Sequence, residues 1–308
     1  MRVAAIDCGT NSIRLLIADV NGTTLTDVVR TMTIVRLGEG VDKTGQFSQA
    51  ALTRTFAAID DFAELIKLHK PAKIRFVATS ATRDVTNRDE FASGIRERLG
   101  IELDVISGDE EARLSFSGAT AEILASPDAP QTPVLVIDIG GGSTEFVIGT
   151  REPKSAISMN IGCVRMTERH LVSDPPTQTE IASATADIDA AIATANEQVN
   201  LSQARSIIGV AGSVTTVAAL MLGLAEYDPQ AIHGSRLSAA DVHRITNELL
   251  SMPRNQRAML GAMHEGRVDV IGGGALILDR IMRATGLPHI VVSEQDILDG
   301  IARDLVIA

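Results

Sequence analysis

The sequence predicts an α/β protein of two similar domains, and three observations predict it. Strand-like apolar runs alternate with longer runs of helical period along the whole chain. A length of 308 residues suits two domains at roughly 150 residues each. A strand–turn–strand pattern also occurs twice. AIDCGTNSIRLLIA overlies VIDIGGGSTEFVIG, with Asp7 on Asp138, Gly9 on Gly140 and Ser12 on Ser143. A pair of unrelated hairpins is the alternative, but in both copies the Asp closes the first strand, with Gly two and Ser five positions later.

In the first domain, residues 1–124, strands are expected at about 2–7, 13–19 and 24–35, before a helix near 48–68. A strand at KIRFVAT, a helix near 88–99, a short strand at LDVIS and a helix from Gly108 to about Leu124 follow. The breaker ASPDAPQTP marks a turn or domain crossing. The second domain, 125–308, resumes the strand pattern, then carries an Ala-rich helix behind SDPPTQTE and a strand–turn–helix at ARSIIGVAGSVTTVAALML. Helical patterns dominate from Ser238, apart from a strand at HIVVS; the closing helix, 295–308, is a candidate to rejoin the first domain.

Apolar residues make up 45% and aromatics 3%, so the core rests mostly on Ala, Val, Ile and Leu. A net charge of −11 argues against nucleic acid or anionic membranes as partners, and any basic lining for an anionic substrate has to be local. Two cysteines, Cys8 and Cys163, make no disulfide framework. With no signal peptide and no long apolar run, they point to the cytoplasm.

The glycines of DIGGGSTEFVIG are not those of a dinucleotide or Walker loop, since a strand-like TEFVIG follows where a helix is required. A turn between strands exposes backbone N–H groups that form a nest for anionic oxygens. Gly140, Gly141 and Gly142 clear the approach and Ser143 adds a hydroxyl; Thr10, Asn11 and Ser12 supply polar donors in the first copy. Asp7 and Asp138, at strand ends, offer hard oxygens suited to Mg²⁺. Glu145 either faces the same place or is a solvent-facing strand residue. Gly212 and Ser213 open a helix, as an anion site or as a plain capped turn.

SGDEEARL begins a helix with three acids. Ser107 and Glu110 match a capping box, and the first-turn acids complement the helix dipole. Glu111 is not needed for either purpose and is a candidate base. Arg83, after a strand and a Ser/Thr-rich turn, is a candidate phosphate ligand, with an ordinary surface Arg as the alternative. The six His residues show no metal-ligand spacing.

IDCGTNSIRLLIA, VATSATRD, SGDEEARL, DIGGGSTEFVIG, IGCVRMTE and GVAGSVTTVAAL occur in the order of the exopolyphosphatase/guanosine pentaphosphate phosphohydrolase (Ppx/GppA) family, which the chain resembles from residue 1 to VSEQDILDGIA. The resemblance implies two ribonuclease-H-like domains of the actin-like ATPase and sugar kinase superfamily, facing a cleft that holds a phosphate chain. It matches Glu111 to the water-activating base and Glu145 to a second essential acid that serves metal or water. Asp7 and Asp138 match the cleft aspartates. Asn11, Ser12, Arg83, the glycine turn with Ser143, and Gly212 match phosphate contacts. The implied activity is Mg²⁺-dependent (or Mn²⁺-dependent) release of terminal phosphate from inorganic polyphosphate, by a homodimer. Longer members carry a C-terminal helical domain beyond the point where this sequence ends, which favours short to medium chains.

Three rival activities follow from the same residues. They are hydrolysis of guanosine pentaphosphate (pppGpp), with guanosine tetraphosphate (ppGpp) as product or regulator, phosphotransfer to an organic acceptor, and binding without catalysis. The paired acids Glu111 and Glu145 argue against the last.

Overall fold

The computed structural model describes residues 1–22 and 24–307. The chain forms two compact units, one of Met1–Gly118 with the segment from Ile297 onward, the other of Ala119–Asp296.

The first unit opens with β1 (Arg2–Cys8), β2 (Ser12–Asn21) and β3 (Thr24–Ile34). A short α1 (Val41–Thr44) and the long α2 (Gln49–His69) precede β4 (Lys73–Ala78), α3 (Ser80–Arg83), α4 (Arg88–Leu99), β5 (Leu103–Val105) and α5 (Gly108–Thr120). The sheet order is β3-β2-β1-β4-β5, with β4 and β5 parallel to β1 and the first three strands antiparallel to one another. Both faces of β1 are buried, in keeping with its near-continuous apolar run. Ala4 and Ile6 pack with Phe62 of α2 and Phe91 of α4. Val3 and Ala5 pack with Leu114 of α5 and with Ile297, Leu298, Ile301 and Ala302 near the chain's end. That second apolar layer is why the closing helix belongs with the first unit, and the division falls inside α5 rather than after Leu124.

The second unit holds β6 (Val134–Ile139), β7 (Thr144–Gly149), β8 (Pro153–Met159), α6 (Cys163–His170), α7 (Gln178–Val199), β9 (Ser206–Val210) and α8 (Ala211–Met221). Then come α9 (Pro229–Ile232), β10 (Arg236–Ser238), α10 (Ala239–Ser251), α11 (Arg254–Arg257), α12 (Ile271–Thr285) and β11 (His289–Val292). The closing helix of the first unit is α13 (Ile297–Ile307).

The second sheet runs β10-β11-β9-β6-β7-β8. Read from β8 to β11 it repeats the first, with three antiparallel strands and two more parallel to the first of them. This is the ribonuclease-H-like arrangement, twice. β10, an antiparallel addition at the edge, was too short to show in the sequence. Among the described residues no helix is long and apolar enough to cross a membrane.

Candidate active site in two equivalent hairpins

The repeated motif builds the same hairpin tip in each unit. Gly9 N–H donates to the Ser12 carbonyl at 3.0 Å, and Gly140 N–H donates to the Ser143 carbonyl at 3.0 Å. Each tip is strapped by the chain that follows the third strand. In the first unit Gly38 N–H donates to the Thr10 carbonyl at 2.8 Å, and the N–H groups of Val35 and Arg36 donate to the Asn11 carbonyl at 3.1 and 2.9 Å. In the second, Cys163 N–H donates to the Gly140 carbonyl and Val164 N–H to the Gly141 carbonyl, both at 2.9 Å, and Arg165 Nε donates to the Gly142 carbonyl at 2.8 Å.

A planar trans peptide points its N–H opposite to its carbonyl. With the carbonyls turned to the strap, the N–H groups of Gly141, Gly142 and Ser143 are directed away from it, and so are those of Asn11 and Ser12. This is the nest expected from the glycines. Close approach demands glycine in the straps as well. A Cβ on Gly38 would lie 2.3 Å from Thr10 Cγ2, and one on Gly162 would lie 2.3 Å from the Gly141 carbonyl oxygen.

The two hairpins differ one step below the tip. Asp7 pairs across the strands with Arg14, whereas Asp138 pairs with Glu145. Arg14 donates through Nε and Nη2 to Asp7 Oδ2 at 3.0 and 2.6 Å, a charge-assisted pair that fixes the Asp7 carboxylate. Glu145 is 1% exposed, which excludes the solvent-facing alternative. Its Oε1 accepts from Ser143 Oγ at 2.8 Å and Ser158 Oγ at 2.7 Å.

Directly opposed like charges are unfavourable in a sheet, the more so when buried, and Asp138 and Glu145 are both buried. Two neighbouring hard-oxygen donors suit Mg²⁺ or Mn²⁺, and a cation would relieve their repulsion. Asp7 differs, because the Arg14 guanidinium already supplies positive charge there. Among the described residues no three His, Cys, Asp or Glu side chains gather into a ready cage.

Glu111 sits in the first turn of α5, buried, with Oε2 accepting from Arg83 Nη1 at 2.7 Å. Burial raises its carboxyl from 4.5 to about 7. The Arg83 guanidinium and a hydrogen bond from Thr79 pull the other way, and the Asp7 charge adds to the rise. Arg83 also donates to the Ile106 carbonyl at 3.0 Å, so it is held by the fold and is not a loose surface residue. The capping box is half formed. Ser107 Oγ accepts from Glu110 N–H at 3.2 Å, but the Glu110 carboxylate goes to Arg75 Nη2 at 2.6 Å. A strong cation on the neighbouring strand outbids a backbone N–H for that carboxylate.

Gly212 and Ser213 open α8 just past Val210, the β9 residue that pairs with Asp138. Ala211 before them has φ 67, the left-handed region that a side chain rarely takes. Arg267 lies against Gly212 and donates to its carbonyl and to Thr216 Oγ1 at 3.1 Å. The Ser213 side chain is packed inward, onto Gly274 of α12 and in hydrogen-bond contact with the Cys163 thiol. What α8 presents at its start is therefore backbone N–H and the Arg267 guanidinium. Burial raises both thiols above their ordinary range, so neither cysteine is a ready nucleophile.

The structure thus brings together Asp7, Asn11, Ser12, Arg83 and Glu111 in the first unit, and Asp138, Gly140–Ser143, Glu145, Gly212 and Ser213 in the second. Comparison with known proteins gives this constellation a family. The Ppx/GppA phosphatase family matches residues 16–306. The chain belongs to that family.

It is 49% identical to Exopolyphosphatase 2 of Mycobacterium tuberculosis, over 99% of this chain and 98% of that protein. A solved exopolyphosphatase-like protein superposes with a TM-score of 0.95 at 46% identity, covering 100% and 99% of the two chains. An exopolyphosphatase from Cytophaga hutchinsonii superposes at 0.90 with 26% identity, covering 99% and 98%.

Within this Ppx/GppA chain the residues that sequence reasoning missed are the supports. Arg14, Thr79, Ser158, Arg165, Arg267 and the strap glycines Gly38 and Gly162 all touch a site residue. Arg14 and Arg165 lie inside motifs already singled out, so register alone was needed to find them. Ser158 and Arg267 carry no local signal.

Proposed function

We propose that this chain is an exopolyphosphatase that hydrolyses the terminal phosphoanhydride bond of inorganic polyphosphate, of short to medium length, and releases orthophosphate. One observation carries the reading. Glu111 is a buried carboxyl at about 7, held by Arg83 in the unit that also presents the Asn11 and Ser12 amides. A base with that affinity for a proton is about half ionised at neutral pH and well matched to accept a proton from water.

Glu111 orients the attacking water and takes its proton. In the first unit Arg83 with the Asn11 and Ser12 N–H groups, and in the second the tri-glycine tip with Gly212 and the start of α8, would each hold non-bridging phosphate oxygens and stabilise charge spread over them as the bond breaks. Asp138 and Glu145 would hold Mg²⁺, or Mn²⁺, which supplies positive charge to phosphate oxygens when bound. Two free, buried cysteines fit a reducing cytoplasm, and the reading extends to a cytoplasmic homodimer.

The experiment is a phosphate-release panel over polyphosphates of increasing length and pppGpp, with Mg²⁺ and with Mn²⁺. Medium-length polyphosphate is expected to be the better substrate. Glu111→Gln should lower turnover about 10²- to 10⁴-fold and leave polyphosphate binding intact. Unchanged turnover in that variant removes Glu111 from the mechanism. Preferential release from pppGpp would instead make the chain a guanosine pentaphosphate phosphohydrolase.

A further inference from the structure

We infer that Arg165 is a positioning residue whose guanidinium locks the last peptide plane of the β6–β7 tip so that its N–H faces the phosphate. The inference rests on the phosphatase reading of that tip and adds the element that holds it in its working shape.

Three carbonyls must be occupied for three N–H groups to converge, and backbone alone occupies two. The Gly140 and Gly141 carbonyls take the N–H groups at the start of α6, from Cys163, Val164 and Arg165. The Gly142 carbonyl is held by a side chain, Arg165 Nε at 2.8 Å. That peptide carries the N–H of Ser143, the residue whose hydroxyl also donates to Glu145. Glycine on both sides of the Gly141–Gly142 peptide leaves the turn little intrinsic preference for one conformation. A fixed external donor is therefore what selects the anion-binding orientation.

The geometry of the strap supports this. Gly162 admits no side chain against the Gly141 carbonyl, so α6 approaches closely enough for a residue one turn in to reach the tip. The Thr144 hydroxyl donates to the Ile161 carbonyl and ties the strap to β7 at the other side of the turn. Arg165 is half-buried, and its Nε donates along the planar fork, a direction set by the rest of the guanidinium. The first unit holds its tip with backbone donors, since the Gly38 N–H fills the Thr10 carbonyl and the Val35 and Arg36 N–H groups fill that of Asn11. The tri-glycine tip is thus the one that depends on a side chain.

The test uses the full chain, with inorganic pyrophosphate as probe and ¹⁵N-resolved amide shifts as readout. In the wild type the amides of Gly141, Gly142 and Ser143 should shift together on titration. In Arg165→Met the pyrophosphate affinity read from those amides should fall about tenfold, the scale of one lost charge-assisted hydrogen bond, and Ser143 N–H should exchange faster. The KM for polyphosphate should rise more than kcat falls, a split that a general loss of folded protein would not produce. Arg165→Lys, which keeps a donor but not the fork, should lie about threefold below wild type.

Wild-type affinity and exchange in Arg165→Met overturn the inference. If that variant does not fold, Arg165→Lys decides alone, with an intermediate affinity in support and a wild-type affinity against. A wild type whose tip amides ignore pyrophosphate would defeat the phosphatase reading of the tip, and the role of Arg165 with it.

Discussion

The β1–β2 and β6–β7 hairpins share a strand register and a strapped turn, and one step below the tip they part company. Where the first has Arg14 opposite Asp7, the second has Glu145 opposite Asp138. The first hairpin pairs its carboxylate with a side-chain cation, and its neighbourhood holds the buried carboxyl of Glu111, the proposed proton acceptor. The second sets two buried acidic residues opposite each other, the pair proposed to hold the metal. Duplication thus supplied one scaffold twice, and in the proposed mechanism the charge difference at this position divides proton transfer from metal binding.

The division of labour breaks most visibly with pH. Glu111 must be ionised to act, and its carboxyl lies at about 7, so activity should rise about a hundredfold from pH 5 to pH 8. A profile flat over that window would mean that the first unit supplies no base. Stability should run the other way. A carboxyl raised in the folded state stabilises fully below about 4.5, and that contribution, about 3 kcal/mol, is lost as pH rises through 7. Denaturant titrations of wild type and Glu111→Gln across pH 4 to 8 should show this slope only in the wild type.

A smaller effect isolates the second hairpin. Glu145→Gln removes one of the opposed carboxylates and should weaken Mn²⁺ binding at least about tenfold by calorimetry, without moving the acid limb of the pH profile. Equal metal affinity in that variant would erase the contrast between the hairpins. The smallest effect should come from Ser158→Ala, which deletes one of the two hydroxyls on Glu145 Oε1. Losing about 1 kcal/mol of orientation should cost Mn²⁺ affinity a few-fold. Metal affinity unchanged in Ser158→Ala would show that Ser143 alone orients the carboxylate.

Much of this was legible in the sequence because the repeat is local. Asp7 with Asp138, Gly9 with Gly140 and Ser12 with Ser143 fall at the same register positions and the same turn hydrogen bonds in the two sheets. Glu111 stood out because capping and dipole accounted for its neighbours but not for it. The straps were not legible. Gly38 and Gly162 do equivalent work, yet one sits in an irregular loop and the other leads a helix, so no shared pattern surrounds them. Arg267 reaches Gly212 from a distant part of the sequence, a contact that only the tertiary fold creates. Ser213 reads as an anion ligand from its place at a helix start, but the glycine run of α12 draws its side chain into packing.

The strapped tips carry one more consequence. With the Gly140, Gly141 and Gly142 oxygens each engaged from behind, the backbone of that tip turns its donors outward and keeps its acceptors behind. An oxygen-crowded chain asks for nothing else, so the backbone sorts its guests before any bond is cut.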